Sequence, residues 1–179
     1  IIYVKEGVGT RFVGDNIGRY QPGDILLTGS NLPHYLKDDD IYLAEDSLLR
    51  VKGTIIQFEN DFMCHAINHY PHFAKIKRLL DESRQGVYFP SDGTSSIKHH
   101  LLDTIPTLTG IDQITSFLQL LKEMSESDSR QIISTETIAG DGINDTSRIN
   151  KIISYINRNY TTHNNLNDLA SQAAIHLSL

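Results

Sequence analysis

The sequence predicts an α+β protein in which a small β-barrel comes first, antiparallel helices follow, and a partial all-α fragment comes last. Three observations predict this class. Short apolar runs separated by glycine-containing turns fill residues 1–58, a pattern typical of an all-β segment. Apolar residues at helical spacing replace them over residues 71–128. A stretch rich in Ser, Thr, Asp and Gly then precedes a second helical pattern over residues 148–179.

The first part of the chain is predicted to form short strands joined by tight turns. Gly7-Val8-Gly9 lies between two apolar runs, which indicates a hairpin. Pro22-Gly23 is a strong turn signal ahead of the apolar run Ile25–Leu27. A longer strand is expected over Ser47–Phe58, and Gly53 within it indicates a bulge or a close approach of two backbones. Short strands at this spacing favour a small barrel or sandwich.

Three helices are expected in the middle of the chain. The first should begin at Pro71, because proline is favoured at the first helical position, and it should end before Gly86. The second is expected over residues 95–105, and the third, which has the most regular pattern, over residues 110–127. A short apolar stretch, Gln131–Ser134, is predicted to be a last strand or a helix end.

The third helix carries two neighbouring apolar strips. One strip consists of Ile111, Ile114, Leu118 and Leu121, and the other of Phe117, Leu120 and Met124. An apolar arc this wide fits a fully buried core helix. It also fits a helix that packs on the barrel and pairs with a second copy of the chain, because coiled-coil seams use this spacing. We predict the second arrangement, a homodimer with Ile114, Leu118 and Leu121 in its interface.

Composition narrows the class of protein. The chain has 179 residues, a formal net charge of −6 and one cysteine. No apolar run is long enough to span a membrane, and no signal peptide is visible. Cys64 has no partner for an internal disulfide, so we expect a reducing, cytoplasmic location.

The acidic charge argues against DNA binding by this stretch alone, because phosphate binding needs clustered Lys and Arg. Ile1 lies within a predicted strand, so we expect further residues at both ends.

The last segment predicts two short helices and the start of a third, after a linker over residues 140–147. The first helix has one apolar face, formed by Ile149, Ile152, Ile153, Ile156 and Tyr160. The second packs through Leu166, Leu169, Ala170 and Ala173. Small residues let two helices cross closely, as a helix-turn-helix unit requires. Ser178 is a good N-cap for a following helix.

This segment resembles the start of the DNA-binding domain of AraC-family transcriptional regulators. That domain opens with a helix like INKIISYINRNY, followed by an L-x-D-L-A-x-x-A helix and a turn that ends in Ser. The matching positions are Leu166, Asp168, Leu169, Ala170, Ala173 and Ser178. The resemblance implies that Ser178 caps a DNA-recognition helix beyond residue 179, and that only the full-length protein binds operator DNA.

The front of the chain resembles the cupin-like sensor domain of the same family. There a glycine hairpin precedes a Gly-Asp pair that opens a strand and a Pro-His pair after a turn; Pro22-Gly23-Asp24 and Pro33-His34 hold those places. The resemblance implies a regulator, not an enzyme, in three parts: a cupin-like effector-binding and dimerisation domain over residues 1–139, the linker over 140–147, and a truncated DNA-binding domain over 148–179.

The effector of such a regulator is a small molecule, and we expect a sugar or another polar metabolite. Tyr3, Arg11 and His34 are the candidate ligand-binding residues, since strand alternation places them on inward faces. An aromatic face stacks on a sugar ring, and guanidinium and imidazole groups donate hydrogen bonds. Effector binding is expected to bias how two subunits present their DNA-binding domains.

A metal-dependent cupin enzyme acting on a small molecule is the alternative function, and a dimeric scaffold with an unoccupied barrel is a third. Catalytic cupins hold a metal with an H-x-H pair, a Glu and a distant His, and His34 stands where that last His would be. A lone His cannot fill a site of three or four ligands. His65, His69 and His72 have suitable spacing, but Pro71 interrupts them. We therefore predict no metal and no cofactor.

Overall fold

The computed structural model describes residues 1–42, 44, 48–93 and 96–135. These residues belong to the first of the two units into which the chain divides, Ile1–Thr137. The predicted linker, the predicted helix-turn-helix fragment and Ser178 lie outside the described residues. No helix within the described part of the chain is long and apolar enough to cross a membrane.

The described residues form two antiparallel sheets and four α-helices, so the α+β class is confirmed. The strands are β1 (Ile2–Glu6), β2 (Gly9–Val13), β3 (Asn16–Tyr20), β4 (Ile25–Leu27), β5 (His34–Asp38), β6 (Lys52–Ile55), β7 (Val87–Phe89) and β8 (Gln131–Ile132). The helices are α1 (Cys64–His69), α2 (Ala74–Glu82), α3 (Ser96–Thr104) and α4 (Gly110–Ser125). Over the described residues the two sheets stay separate, and they do not close into the predicted barrel.

One sheet has five strands in the order β6-β1-β4-β7-β8, and the other has three in the order β3-β2-β5. The predicted hairpin at Gly7-Val8-Gly9 is therefore wrong, because β1 and β2 belong to different sheets. Gly7 has a φ of +109°, and the chain crosses from one sheet to the other at this point. The hairpin lies one turn later, where β2 pairs with β3 across Gly14 and Asp15.

The close backbone approach expected at Gly53 is present. Gly53 pairs with Val4 of β1, and the register between β1 and β6 shifts after that pair. A Cβ atom at Gly53 would lie 2.6 Å from the carbonyl oxygen of Tyr3. Because real Cβ atoms do not come that close to backbone, only glycine allows β6 to pair here.

The five-stranded sheet is the middle layer, and its two faces pack against different partners. Tyr3, Ile25 and Phe89 share the face that packs against the helices in the main core. Leu26 and its pairing partner Tyr88 are on the opposite face, which faces the three-stranded sheet. This alternation is the ordinary period-two pattern of a strand, and it separates an apolar helix side from a mixed side between the sheets.

Helix α4 is the main helical element of the core. It packs against both α2 and α3. Its fully or nearly fully buried apolar side chains are Phe117, Leu120, Leu121 and Met124. Truncation of a buried leucine to alanine costs about 2–5 kcal/mol of stability, so this stripe anchors the helical layer to the five-stranded sheet.

Candidate functional site

Arg11 is the predicted ligand residue that lies between the two sheets. Alternate residues of β2 are buried, which turns Arg11 and Val13 inward, and Arg11 is only 8% exposed. Its guanidinium carbon lies 4.3 Å from the ring centroid of Tyr88 on β7. A cation over an aromatic face contributes roughly 0.5–2 kcal/mol, more when water is excluded. The contact therefore joins the two sheets through a charged group.

The guanidinium is held on its other side by β3. Its Nη1 donates to Oδ1 of Asn16 at 2.7 Å, and its Nε donates to the carbonyl oxygen of Arg19 at 3.2 Å. A Cβ atom at Gly18 would lie 2.7 Å from Nη2, so a side chain at this position would displace the guanidinium. Burial lowers the pKa of Arg11, but an arginine stays charged because its ordinary pKa is so high.

Asp24 supplies the opposite charge. It is 2% exposed and immediately precedes β4. Its Oδ2 accepts hydrogen bonds from the Tyr88 hydroxyl at 2.7 Å and from the backbone N–H of Gln21 at 2.8 Å. Its Oδ1 accepts from the backbone N–H of Ser91 at 2.9 Å. Burial, and then the hydrogen bond to Asp24, raises the pKa of the Tyr88 hydroxyl. Arg11, Tyr88 and Asp24 form a charge-balanced group that we name the Arg11 cluster.

A small apolar cluster also lies between the two sheets that the Arg11 cluster joins. Val13, Leu26 and Leu32 form a small buried cluster between the same two sheets. Small-molecule sites typically combine apolar walls with a few convergent polar groups. A guanidinium whose hydrogen-bond partners are neutral oxygens can exchange them for a ligand hydroxyl or carboxylate, while the tyrosine ring offers a stacking face.

Tyr3 does not join this cluster, because it lies on the helix-facing side of the five-stranded sheet. It is buried in the main core, and its ring stacks on the imidazole of His99 with centroids 5.1 Å apart. Burial, together with the nearby charge of Asp103, raises the pKa of Tyr3. Strand alternation correctly predicts that Tyr3 is buried. Tyr3 lies on the side of the sheet that faces the helices, however, so it cannot contact the same ligand as Arg11.

His34 lies at a third place. It is the first residue of β5, it is exposed, and its Nδ1 lies 2.8 Å from the carbonyl oxygen of Leu32. The structure therefore does not bring Tyr3, Arg11 and His34 together, and of the three only Arg11 lies between the sheets.

The predicted dimerisation strip of α4 divides between core and surface. Leu121 is fully buried in the core of the protomer, and Leu118 is half-buried. Ile111 and Ile114 are 69% and 42% exposed. Ile114 and Leu121 are seven residues apart and lie on the same side of the helix, so the difference is one of position along the helix. The core covers the C-terminal part of the strip and leaves its N-terminal part exposed.

An apolar groove of about 310 Å³ adjoins the exposed end of α4. Three phenylalanines contact one another in its wall, with the Phe117 ring centroid 4.9 Å from that of Phe58 and 5.2 Å from that of Phe62. The remaining lining residues are Ile55, Ile56, Gln57, Ile105, Pro106, Gln113 and Ile114. The lining is mainly apolar and includes no charged side chain.

The histidines considered as metal ligands are arranged as a pair. His65 and His69 stack on α1 with ring centroids 4.4 Å apart, and His69 Nδ1 lies 2.9 Å from the carbonyl oxygen of His65. His72 lies beyond α1, in the turn that starts at Pro71. Across the described ranges, no three His, Cys, Asp or Glu side chains are placed to hold a metal ion together.

Two members of the Arg11 cluster were not singled out as site residues from the sequence. The sequence does contain a signal for Asp24, because a carboxylate between a Pro-Gly turn and a buried strand must find hydrogen-bond donors. Tyr88 had a weaker one: it lies between Val87 and Phe89, both fully buried, so its own side chain points to the opposite face. Its pairing with Leu26 is long-range, and local patterns carry no information on that.

Comparison with protein-family models, with curated proteins and with solved structures finds no match to this chain.

Proposed function

We propose that this chain is the sensor and dimerisation region of an AraC-type transcriptional regulator that acts in the cytoplasm. It binds a small polar effector and thereby controls DNA binding by the full-length protein. The observation that best supports the sensor role is the Arg11 cluster: a buried guanidinium faces an aromatic ring between two sheets. The resemblance of residues 148–179 to a helix-turn-helix start supports the regulatory role.

Arg11 and Tyr88 are the proposed effector contacts. The guanidinium offers charge-assisted hydrogen bonds to a hydroxyl or carboxylate, and the ring offers a stacking face for a sugar or a planar metabolite. Tyr3 and His34 are not part of this proposal, because Tyr3 packs on the helix side and His34 is exposed. The effector is therefore a small polar molecule recognised between the sheets.

Dimerisation is proposed to use the surface formed by Ile55, Ile111 and Ile114. Ile55 is 66% exposed on β6 and lines the same groove as Ile114. A second copy of the chain that covers these side chains would remove apolar area from water at about 25 cal/mol per Å². This proposal keeps Ile114 of the predicted interface, and it leaves out Leu118, which is half-buried, and Leu121, which is already buried.

The test is a thermal-shift screen of sugars and small carboxylates against the wild-type chain. An effector present at one hundred times its dissociation constant adds about 2.7 kcal/mol to the free energy of unfolding. Arg11→Lys should weaken binding by about tenfold or more, because a lysine cannot reproduce the guanidinium geometry. Arg19→Lys is the matched control, since Arg19 lies on the adjacent strand of the same sheet and its exposed side chain pairs with Asp39.

Equal binding by wild type and Arg11→Lys would overturn the assignment of the site. In the full-length protein, the effector should also change the affinity for DNA selected from a random library, and Arg11→Lys should abolish that response. A regulator without any effector-dependent change in DNA affinity would contradict the proposed function even if a ligand binds.

A further inference from the structure

The turn between β2 and β3 contacts the last described residues of the chain. The turn consists of Gly14 and Asp15, and Gly14 has a φ of +54°. A Cβ atom at Gly14 would lie 2.3 Å from Oγ of Ser134, so the turn backbone packs directly on that residue. Ser134 and Thr135 immediately precede residue 136, and we name these two residues the exit segment.

Asp15 binds the exit segment through both carboxylate oxygens. Its Oδ1 accepts from the Ser134 hydroxyl at 2.7 Å and from the backbone N–H of Thr135 at 3.0 Å. Its Oδ2 accepts from the Thr135 hydroxyl. Hydrogen bonds to a charged acceptor are about twice as strong as neutral ones. A single exposed carboxylate therefore ties a turn of the small sheet to a segment 120 residues later.

The exit segment is held from the opposite side by the chain around β7. The backbone N–H of Ser134 donates to the carbonyl oxygen of Gln85 at 2.8 Å, and that of Ile133 donates to Gly86 at 3.0 Å. The side-chain amide of Gln85 donates to the carbonyl oxygen of Ser134 at 3.2 Å. These contacts do not involve the β2–β3 turn, so they provide an internal reference for any change at Asp15.

The same turn is bonded to the Arg11 cluster. Asn16, which follows Asp15, accepts the Arg11 Nη1 hydrogen bond at 2.7 Å. The path from the cluster to the exit segment is thus one hydrogen bond, one peptide unit and one carboxylate long. A molecule that takes the Arg11 guanidinium away from Asn16 removes a support of the turn that presents Asp15.

We propose that Asp15 is a latch that holds the exit segment, and that the Arg11–Asn16 hydrogen bond keeps this latch closed. The proposal rests on the proposed function, because it makes effector binding at Arg11 the event that releases Ser134 and Thr135. Signalling then needs no movement of the whole sensor. It needs only a change at one hairpin turn, which contacts residues close to the C-terminal boundary of the first unit.

Amide hydrogen exchange at single residues tests the latch without an effector. Asp15→Asn should increase the exchange rate of the Thr135 amide by about tenfold, the equivalent of one lost charge-assisted bond of about 1.4 kcal/mol. Asn16→Ala should increase it by at least about threefold through the turn. The Ile133 amide, bonded to Gly86, is the internal reference and should change little. Asp39→Asn is the matched control for loss of a partly exposed carboxylate, since Asp39 directly follows β5 and pairs with Arg19 of β3.

Arg11→Lys should raise the exchange rate of the Thr135 amide as Asn16→Ala does. The two substitutions combined should raise this rate no further, because both remove the same hydrogen bond. Unchanged Thr135 exchange in Asp15→Asn would overturn the latch. Unchanged exchange in Asn16→Ala, or an equal rise at Ile133, would overturn its link to Arg11. These results do not depend on a ligand, so a failed effector screen and a failed latch are separate outcomes.

Discussion

The hydroxyl of Tyr88 donates a 2.7 Å hydrogen bond to the carboxylate of Asp24, and the two residues are 64 positions apart in the chain. This bond connects the middle of β7 to the turn before β4. Because the same tyrosine ring lies under the Arg11 guanidinium, one side chain links the carboxylate to the small sheet. Asp24 is nearly inaccessible to water, so each of its donors is needed to offset the cost of burying a charge.

Tyr88→Phe is expected to destabilise the chain by about 1–3 kcal/mol, because Asp24 loses a donor that water cannot replace. The ring stays under Arg11, so the cation–π contact is retained. Urea unfolding measures the change. Tyr35→Phe is the control, since Tyr35 is exposed and should lose a few tenths of a kcal/mol at most. Equal stability of Tyr88→Phe and wild type would show that the bond contributes nothing.

Ile111→Glu combined with Ile114→Glu is expected to give a folded monomer, because both positions are exposed in the protomer. Light scattering measures the mass of the particle, and circular dichroism shows whether the variant is folded. Leu121→Glu should instead unfold the chain, since a charge at a fully buried position has no partner. Gln119→Glu, at an exposed position of the same helix, is the control for added charge. A dimer that survives the double change would remove this surface from the interface.

Acid should open the Asp15 contact. Hydrogen bonds from Thr135, then from Ser134, lower the pKa of Asp15 from an ordinary value of 3.8 to about 2. A carboxylate with a lowered pKa in the folded state stabilises fully above its unfolded pKa and loses that contribution as pH falls. The stability difference between wild type and Asp15→Asn should therefore be constant above about pH 5 and shrink between pH 4 and 2. Denaturant titrations across this range measure it; a constant difference would contradict the contact.

Gly14→Ala is expected to cost more stability than Gly110→Ala. Both glycines have positive φ, +54° and +61°, so both alanines carry a left-handed backbone cost of about 1–2 kcal/mol. Nothing lies within 4 Å of a Cβ atom at Gly110, whereas Ser134 Oγ lies 2.3 Å from one at Gly14. Gly14→Ala should therefore lose about 1–3 kcal/mol more stability than Gly110→Ala, because overpacking against the exit segment adds to the backbone cost. Equal costs would mean that Ser134 moves away freely.

Local patterns were sufficient for three of the four described helices and for several turns, whereas α1 was not predicted. The end of α2 before Gly86, the span of α4 and the glycine at position 53 follow from helical spacing, proline placement and sterics, which act over a few residues. The Gly7 hairpin was wrong because a glycine turn marks a change of direction, while the choice of pairing partner depends on strands far away in sequence. For the same reason, local patterns cannot show whether the two sheets close into the predicted barrel.

The candidate site was predicted only in part, for the same reason. Alternation along β2 predicts that Arg11 points inward, and Arg11 is buried in the structure. Alternation along β1 also made Tyr3 inward, but a middle sheet has two buried faces, and the pattern cannot say which layer each face meets. Tyr88 and Asp24 come together through pairing between β4 and β7, which is a property of the assembled sheet.

The division into two sheets has a consequence for the order of folding. The three-stranded sheet draws all its strands from residues 9–38, a continuous piece of chain with short loops to close. The five-stranded sheet needs strands that run from Ile2 to Ile132, and pairings between distant segments form slowly. In pulse-labelled refolding, amides of β2 and β3 should gain protection before those of β7, whose partners β4 and β8 are both distant in sequence.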